Sequence, residues 1–162
     1  MEFEELTKVL QEIKPIIENN TGLTIFARER SKFEGWLKVE LCGILSKHFE
    51  DVTPEKDRTD ICFGEWGIEL KTINTNIRYD GVQKKNRPIT KNTQGVINDI
   101  DKLSRSTISK KAVMFVTFPA EHDNKNWQVQ LNRIKEKLSR LMACDFVFNE
   151  GIIKGVIYFG LI

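Results

Sequence analysis

Two short apolar runs, RTDICF and WGIELKT, carry Asp60, Glu69 and Lys71, residue types that together suit a hard divalent cation. Side chains two apart on a strand share a face, so Glu69 and Lys71 emerge together while Ile68 and Leu70 point the other way. If the two runs pair as a hairpin, Asp60 comes to lie beside them. Paired carboxylates at a sheet edge match magnesium, with manganese as its substitute, because this cation takes one or two protein carboxylates and completes its shell with water and phosphate oxygens. The backbone carbonyl of Leu70 supplies a further ligand. Lys71 is then expected to orient or deprotonate an attacking water, since burial and a neighbouring cation both lower a lysine pKa. The cation's second service in such chemistry is to offset the charge that builds up as a phosphodiester is cut.

The spacing alone is common: Glu12 with Lys14 and Asp123 with Lys125 repeat it. Those pairs fall in a helical pattern and a polar stretch, whereas Glu69 and Lys71 follow a strand that itself bears an acid. The competing reading is a solvated cross-strand ion pair. Other metal chemistry is poorly served. Cys42, Cys62 and Cys144 show no CxxC spacing, and His48 and His122 have no second ligand at metal spacing. An oxygen-ligated metal is what remains.

The elements that must position these residues follow from hydrophobic period. Phe3, Leu6, Val9, Leu10, Ile13, Ile16 and Ile17 form one helical stripe, with Pro15 a point of kinking or division, and Asn19, Asn20 and Gly22 read as its stop. Leu23 to Phe26 reads as extended. Ser31 and Glu34 have capping-box spacing, and a helix is expected from there to about His48. Its inner face carries Phe33, Leu37, Leu41, Ile44 and Leu45, bordered by Glu40. An acid at such a border needs a partner or a purpose. The hairpin 59–63 and 66–72 follows, then a polar basic loop over 74–93, a helix over 94–104, a buried strand over 111–118, a helix over 127–142, and two strands about Glu150 and Gly151. Trp36, Trp66 and Trp127 fall at apolar periodic positions and read as core.

With 162 residues, 40% hydrophobic and 30% charged, the chain has ordinary globular composition and length for one domain, 1–162, with residues 1–30 a helical extension. A net charge of +2 is too small to indicate a nucleic-acid partner by itself. The start is acidic and amphipathic rather than signal-like, no apolar run reaches membrane length, and the unpaired cysteines suit a reducing cytoplasm. The element order suggests an α/β fold with a mixed central sheet and helices on both faces.

The run from Phe33 to Lys71, with FEGWLKVEL, RTDICF and WGIELKT, resembles the PD-(D/E)XK nuclease superfamily. The resemblance spans roughly residues 31–118 and implies a restriction endonuclease-like core of helix, three strands, helix and strand. By it Asp60 is the motif aspartate, Glu69 the second acid and Lys71 the motif lysine. Thr59 stands where many members carry proline. Glu40 corresponds to the acid contributed by the first core helix, to the metal set as well as to catalysis, and is preferred to Glu34 because a cap already explains Glu34. Gln94 resembles a glutamine placed near the scissile phosphate, its alternative being a plain helix-start residue.

The implied activity is magnesium-dependent endonuclease cleavage, most naturally of DNA in a restriction, defence or repair setting. A catalytically inactive nuclease-fold protein that binds nucleic acid or a partner subunit is the alternative. Arg78, Lys84, Lys85, Arg87 and Lys91 form the candidate phosphate-contacting segment, with Tyr79 as a stacking surface, against the reading of a solvated loop. Arg28, Arg30 and Lys32 extend that positive surface. A homodimer, one centre per strand, suits cleavage of a duplex.

Overall fold

The computed structural model of the chain describes residues 1–85, 88–149 and 151–162. Two strands dominate it, β3 (Trp66–Asn74) and β4 (Lys110–Phe118), which run parallel and are buried along almost their whole length. Such continuous apolar runs require cover on both faces. Four helices cover one face: α1 (Phe3–Leu10), α2 (Ile13–Glu18), α3 (Thr21–Arg28) and α4 (Glu34–Leu45). On the other lie α5 (Ile89–Ser104), which connects β3 to β4, and α6 (Lys125–Lys135). The short β1 (Thr53–Pro54) and β2 (Ile61–Phe63) and the longer β5 (Arg140–Val147) and β6 (Lys154–Leu161) complete a sheet in the order β1-β2-β3-β4-β6-β5. All its pairings except β3–β4 are antiparallel. The chain is thus an α/β protein with a six-stranded mixed sheet.

Leu6, Leu10, Ile13 and Ile17 pack into the same cluster as Leu37, Leu41, Ile68 and Leu70. Residues 1–30 therefore form part of the core instead of an appendage. The second cluster joins Val96, Ile97 and Ile100 of α5 to Trp127 and Leu131 of α6 across Phe115 and Tyr158. There the indole N–H of Trp127 donates to the Tyr158 hydroxyl at 2.7 Å, as a buried polar tip requires. No helix among the described residues is long and apolar enough to cross a membrane.

Local expectations fail where a short polar signal has two meanings. The first stripe divides because Pro15 has no N–H to offer the Gln11 carbonyl, so the chain breaks after Leu10 and restarts with Pro15 in a first turn. Leu23 to Phe26 is helical: Asn20, read as part of a stop, accepts the Leu23 N–H at 3.0 Å and starts α3. Helix α4 begins at Glu34 with no side-chain cap, so Ser31 and Glu34 form no capping box. Helix α5 begins at Ile89, directly after Pro88, and Gln94 lies within it. The last helix stops at Lys135, and residues 140–142 already belong to β5.

Candidate functional site

The site begins with a strand that is too short. β2 pairs with β3 only over Trp66, Gly67 and Ile68, leaving the outer edge of β3 without a strand partner beyond that point. Side chains fill the gap. Asp60, the residue just before β2, accepts the Leu70 N–H on Oδ2 at 2.8 Å. Glu34, at the start of α4, accepts the Thr72 N–H on Oε1 at 3.0 Å. Within a strand the N–H and C=O of one residue face the same side, so the Leu70 carbonyl opens onto this edge too. Two carboxylates and a carbonyl thus collect where one more strand would have run.

Glu69 and Lys71 share the face of β3 that meets α5, as their spacing requires. Glu69 is 3% exposed, and its Oε1 lies 2.8 Å from the Lys102 ammonium of α5. That contact lacks hydrogen-bond direction, and Oε1 is a buried acceptor without a hydrogen-bond donor. Burial pushes the Glu69 carboxyl up to about 7, helped by the charge of Asp60 and a hydrogen bond between the two carboxyls, and opposed by Lys102. Asp60 moves the other way. Burial would raise it, yet the Lys38 ammonium, 2.8 Å from Oδ1, and the Leu70 amide together hold it below the usual aspartate range. Lys38 also pairs with Glu55 at 3.0 Å.

Lys71 departs from expectation. Burial works to lower its pKa, but Asp99 at 2.8 Å, with Glu34 and Asp60 nearby, overrides this and holds the amine above its ordinary value. Within this set of side chains Lys71 is held toward its ammonium form.

The donor set fits a hard divalent cation. Burial raises one of two adjacent carboxyls to about 7, its Oε1 has no hydrogen-bond donor, and the Leu70 carbonyl faces the same edge. Among the described residues no group of three or more His, Cys, Asp or Glu side chains is placed to hold a metal ion. Two carboxylates plus a carbonyl is the sparse arrangement magnesium accepts while keeping its own waters.

Two of the expected residues stand outside the cluster. Glu40 lies about 120° round α4 from Glu34 at 3.6 residues per turn, and its side chain makes no hydrogen bond or ion pair among the described residues. Glu34 is the acid of α4 that lies against the edge of β3. Gln94 points toward α6, where its Oε1 accepts from Arg133 at 2.8 Å and its amide donates to Asn98 at 3.0 Å. The stripe of α5 that faces the site is Asn92, Gly95, Asp99 and Lys102. A Cβ at Gly95 would sit 3.5 Å from the Lys71 Cε. Sequence reasoning passed over Glu34, Lys38, Asp99 and Lys102. Their signal was present as the i, i+4 pair of acid and lysine on α4 and the i, i+4, i+7 series of Gly95, Asp99 and Lys102 on α5.

The basic segment has more order than a solvated loop. Arg30 is 3% exposed and donates to the carbonyls of Thr75, Ile77 and Gln83 at 2.5, 2.6 and 2.8 Å. Its guanidinium therefore clamps the chain leaving β3 and is no part of an exposed phosphate surface. Lys85 pairs with Glu29 at 3.1 Å, and Tyr79 is half-buried, packing against the core while lining the cavity beside Arg78 and Lys84. Arg78, Lys84 and Lys91 are exposed, while Arg87 lies outside the described residues. A cavity of about 520 Å3 is lined by Arg30, Arg78, Lys84 and Lys85, and one of about 480 Å3 by Arg30, Lys32, Lys91 and Asn92. They meet at Arg30, and Asn92 joins them to the Gly95–Asp99 stripe. A cavity of about 600 Å3 elsewhere, lined by Lys14, Glu121, His122, Asp145 and Lys154, holds none of the expected site residues. Comparison of the chain with family models, with curated proteins and with solved structures finds no match.

Proposed function

We propose that this protein is a divalent-metal-dependent nuclease of the PD-(D/E)XK kind, with a restriction endonuclease-like core, that hydrolyses phosphodiester bonds in DNA. One observation carries the reading: the carboxyls of Asp60 and Glu69 and the carbonyl of Leu70 meet at the open edge of β3, with Lys71 two residues further along the same strand. The order α4, β2, β3, α5, β4 supports it, as does the polarity of the site, where lysines and acids alternate around a dry carboxyl.

Asp60, Glu69 and the Leu70 carbonyl would hold magnesium or manganese. When bound, that cation supplies charge stabilisation for the phosphoryl group being cut. Lys71, locked as an ammonium by Asp99, binds a phosphate oxygen and orients the attacking water through its charge. Glu34 ties the start of α4 to β3 and completes the negative wall opposite Lys71. Lys32, Arg78, Lys84 and Lys91 border the cavities beyond and contact flanking phosphates. A cytoplasmic setting agrees with three free cysteines.

The test is incubation with supercoiled plasmid in magnesium or manganese, with EDTA as control. Cutting is expected with either metal, none with EDTA, and a fall of about 10²–10³-fold in Lys71→Ala, the scale for removing one charge-stabilising group. Intact plasmid under every metal condition, or equal cutting by Lys71→Ala, rejects the proposal. A gel shift without cleavage points to a binding protein built on this fold.

A further inference from the structure

Three lysines meet four acids in the site, and the lysines differ in what holds them. Lys71 is paired with Asp99, which is not a candidate metal ligand, so this pair can persist when a cation arrives. Lys38 is fixed from two sides, by Glu55 and Asp60, and its side chain is only 20% exposed. Lys102 is the exception. Its side chain is 47% exposed, and its ammonium reaches from the solvent side of α5 to a carboxylate that is 4% exposed. Glu69 is its only ion-pair partner among the described residues, and the contact lacks hydrogen-bond direction.

We propose that Lys102 is a displaceable counter-ion: its ammonium holds the place on Glu69 Oε1 that a divalent cation takes, and it swings into solvent when the cation enters. The inference rests on the metal-site reading above. A carboxylate this buried needs positive charge beside it to ionise. A lysine on a flexible four-carbon stem supplies that charge at one point, whereas a divalent cation supplies it to Glu69, Asp60 and the Leu70 carbonyl together. An ammonium 2.8 Å from Oε1 and a divalent cation on the same carboxyl repel each other at close range. Metal binding must therefore break the Glu69–Lys102 pair, and the fraction of time that the pair is closed lowers the apparent affinity in proportion.

The consequence is an inversion of the usual result: removing a charged residue from the site strengthens metal binding. Titration of the whole protein with manganese, read by calorimetry and by the electron paramagnetic resonance of free manganese, is compared for wild type, Lys102→Met, Lys102→Arg and Glu69→Gln. At a pH where Glu69 is ionised in both proteins, a pair closed about nine-tenths of the time gives Lys102→Met roughly tenfold tighter binding. Lys102→Arg, which keeps the charge, should bind no tighter than wild type, and Glu69→Gln should lose most of its affinity.

Movement of the lysine has a separate readout. Acetylation of Lys102, followed by mass spectrometry in the wild type, should quicken on adding magnesium, while that of Lys47, which pairs with Glu12 away from the site, should not. The outcomes separate the two claims. Manganese binding that depends on Glu69 but is unchanged or weakened in Lys102→Met, with Lys102 acetylation indifferent to metal, overturns the counter-ion role and leaves the metal site standing. No manganese binding by wild type or by Lys102→Met overturns both.

Discussion

Glu69 is where the fold and the chemistry conflict most directly, since a carboxyl 3% exposed would be replaced by an apolar residue if packing alone governed the position. Its folded pKa of about 7 stands above the ordinary glutamate value of 4.5. A carboxyl raised in this way binds more protons folded than unfolded across that interval. Its stabilising contribution is full below pH 4.5 and is lost as the pH climbs through 7, a span worth about 3 kcal/mol. Asp60, shifted downward, acts in a lower window and does not mask the effect. Urea unfolding of the metal-free protein in EDTA should therefore show stability declining from pH 5 to about 7.5, and Glu69→Gln should flatten the decline; a flat wild-type profile contradicts the assignment. A second contrast concerns the helix acids. Glu34→Gln loses the charge facing Lys71 and weakens the bond to the Thr72 amide, so plasmid cleavage should fall at least tenfold, while Glu40→Gln stays within about twofold because its carboxylate touches nothing in the cluster. Asp60, Glu69 and Lys71 were legible in the sequence because strand alternation is local. Glu34 was not, because SKFE is equally the spelling of a capping box. Only the shortness of β2 reveals that a Thr72 amide, seen nowhere in that local pattern, needs the carboxylate more.

Among the elements, the segment leaving β3 is tied down chiefly by Arg30, with further bonds from Thr75 to the Pro119 carbonyl and from Lys85 to Glu29. Arg30 gives three hydrogen bonds to carbonyls of residues 75–83, and Gln83 returns one through its N–H to the Arg28 carbonyl. Replacing Arg30 by alanine leaves these buried or half-buried carbonyls without donors, at an expected loss of about 3 kcal/mol or more. Trypsin should then cut first after Lys84 or Lys85 at concentrations that spare the wild type, and Lys84→Ala with Arg30 intact should show no such destabilisation. The strands and most helices were readable from period alone, down to β4, where KAVMFVTF is buried on both faces. Helix α3 and the end of α6 were not. Asn20 has the same composition whether it stops one helix or starts the next, and Leu138 and Leu141 fit a helical stripe as well as they fit the approach to β5. Those choices are made by tertiary contacts, Thr24 bonding to the Asn149 carbonyl in one case and β5 pairing with β6 in the other.

At the scale of the whole molecule, a net charge of +2 gives almost no long-range attraction for a polyanion, so any affinity for DNA must come from where the cations stand. The described exposed cations beside the site, Arg78, Lys84 and Lys91 with Lys32, border the two cavities joined at Arg30, whereas Lys8 on α1 and Lys135 on α6 border neither. Each lysine that neutralises a phosphate releases about one counterion on binding, so its removal lowers the slope of log affinity against log salt by about 0.9 for duplex DNA or about 0.7 for a single strand. Binding measured by fluorescence anisotropy in calcium, to avoid cutting, should show that reduction in Lys84→Ala and again in Lys91→Ala, adding in the double variant. Lys8→Ala and Lys135→Ala change the net charge by the same amount and should leave the slope where it was. The size of the decrement also separates the two substrate forms. Equal small losses from all four substitutions would mean that the protein attracts nucleic acid only through its overall charge, and that the clamp by Arg30 serves the fold alone.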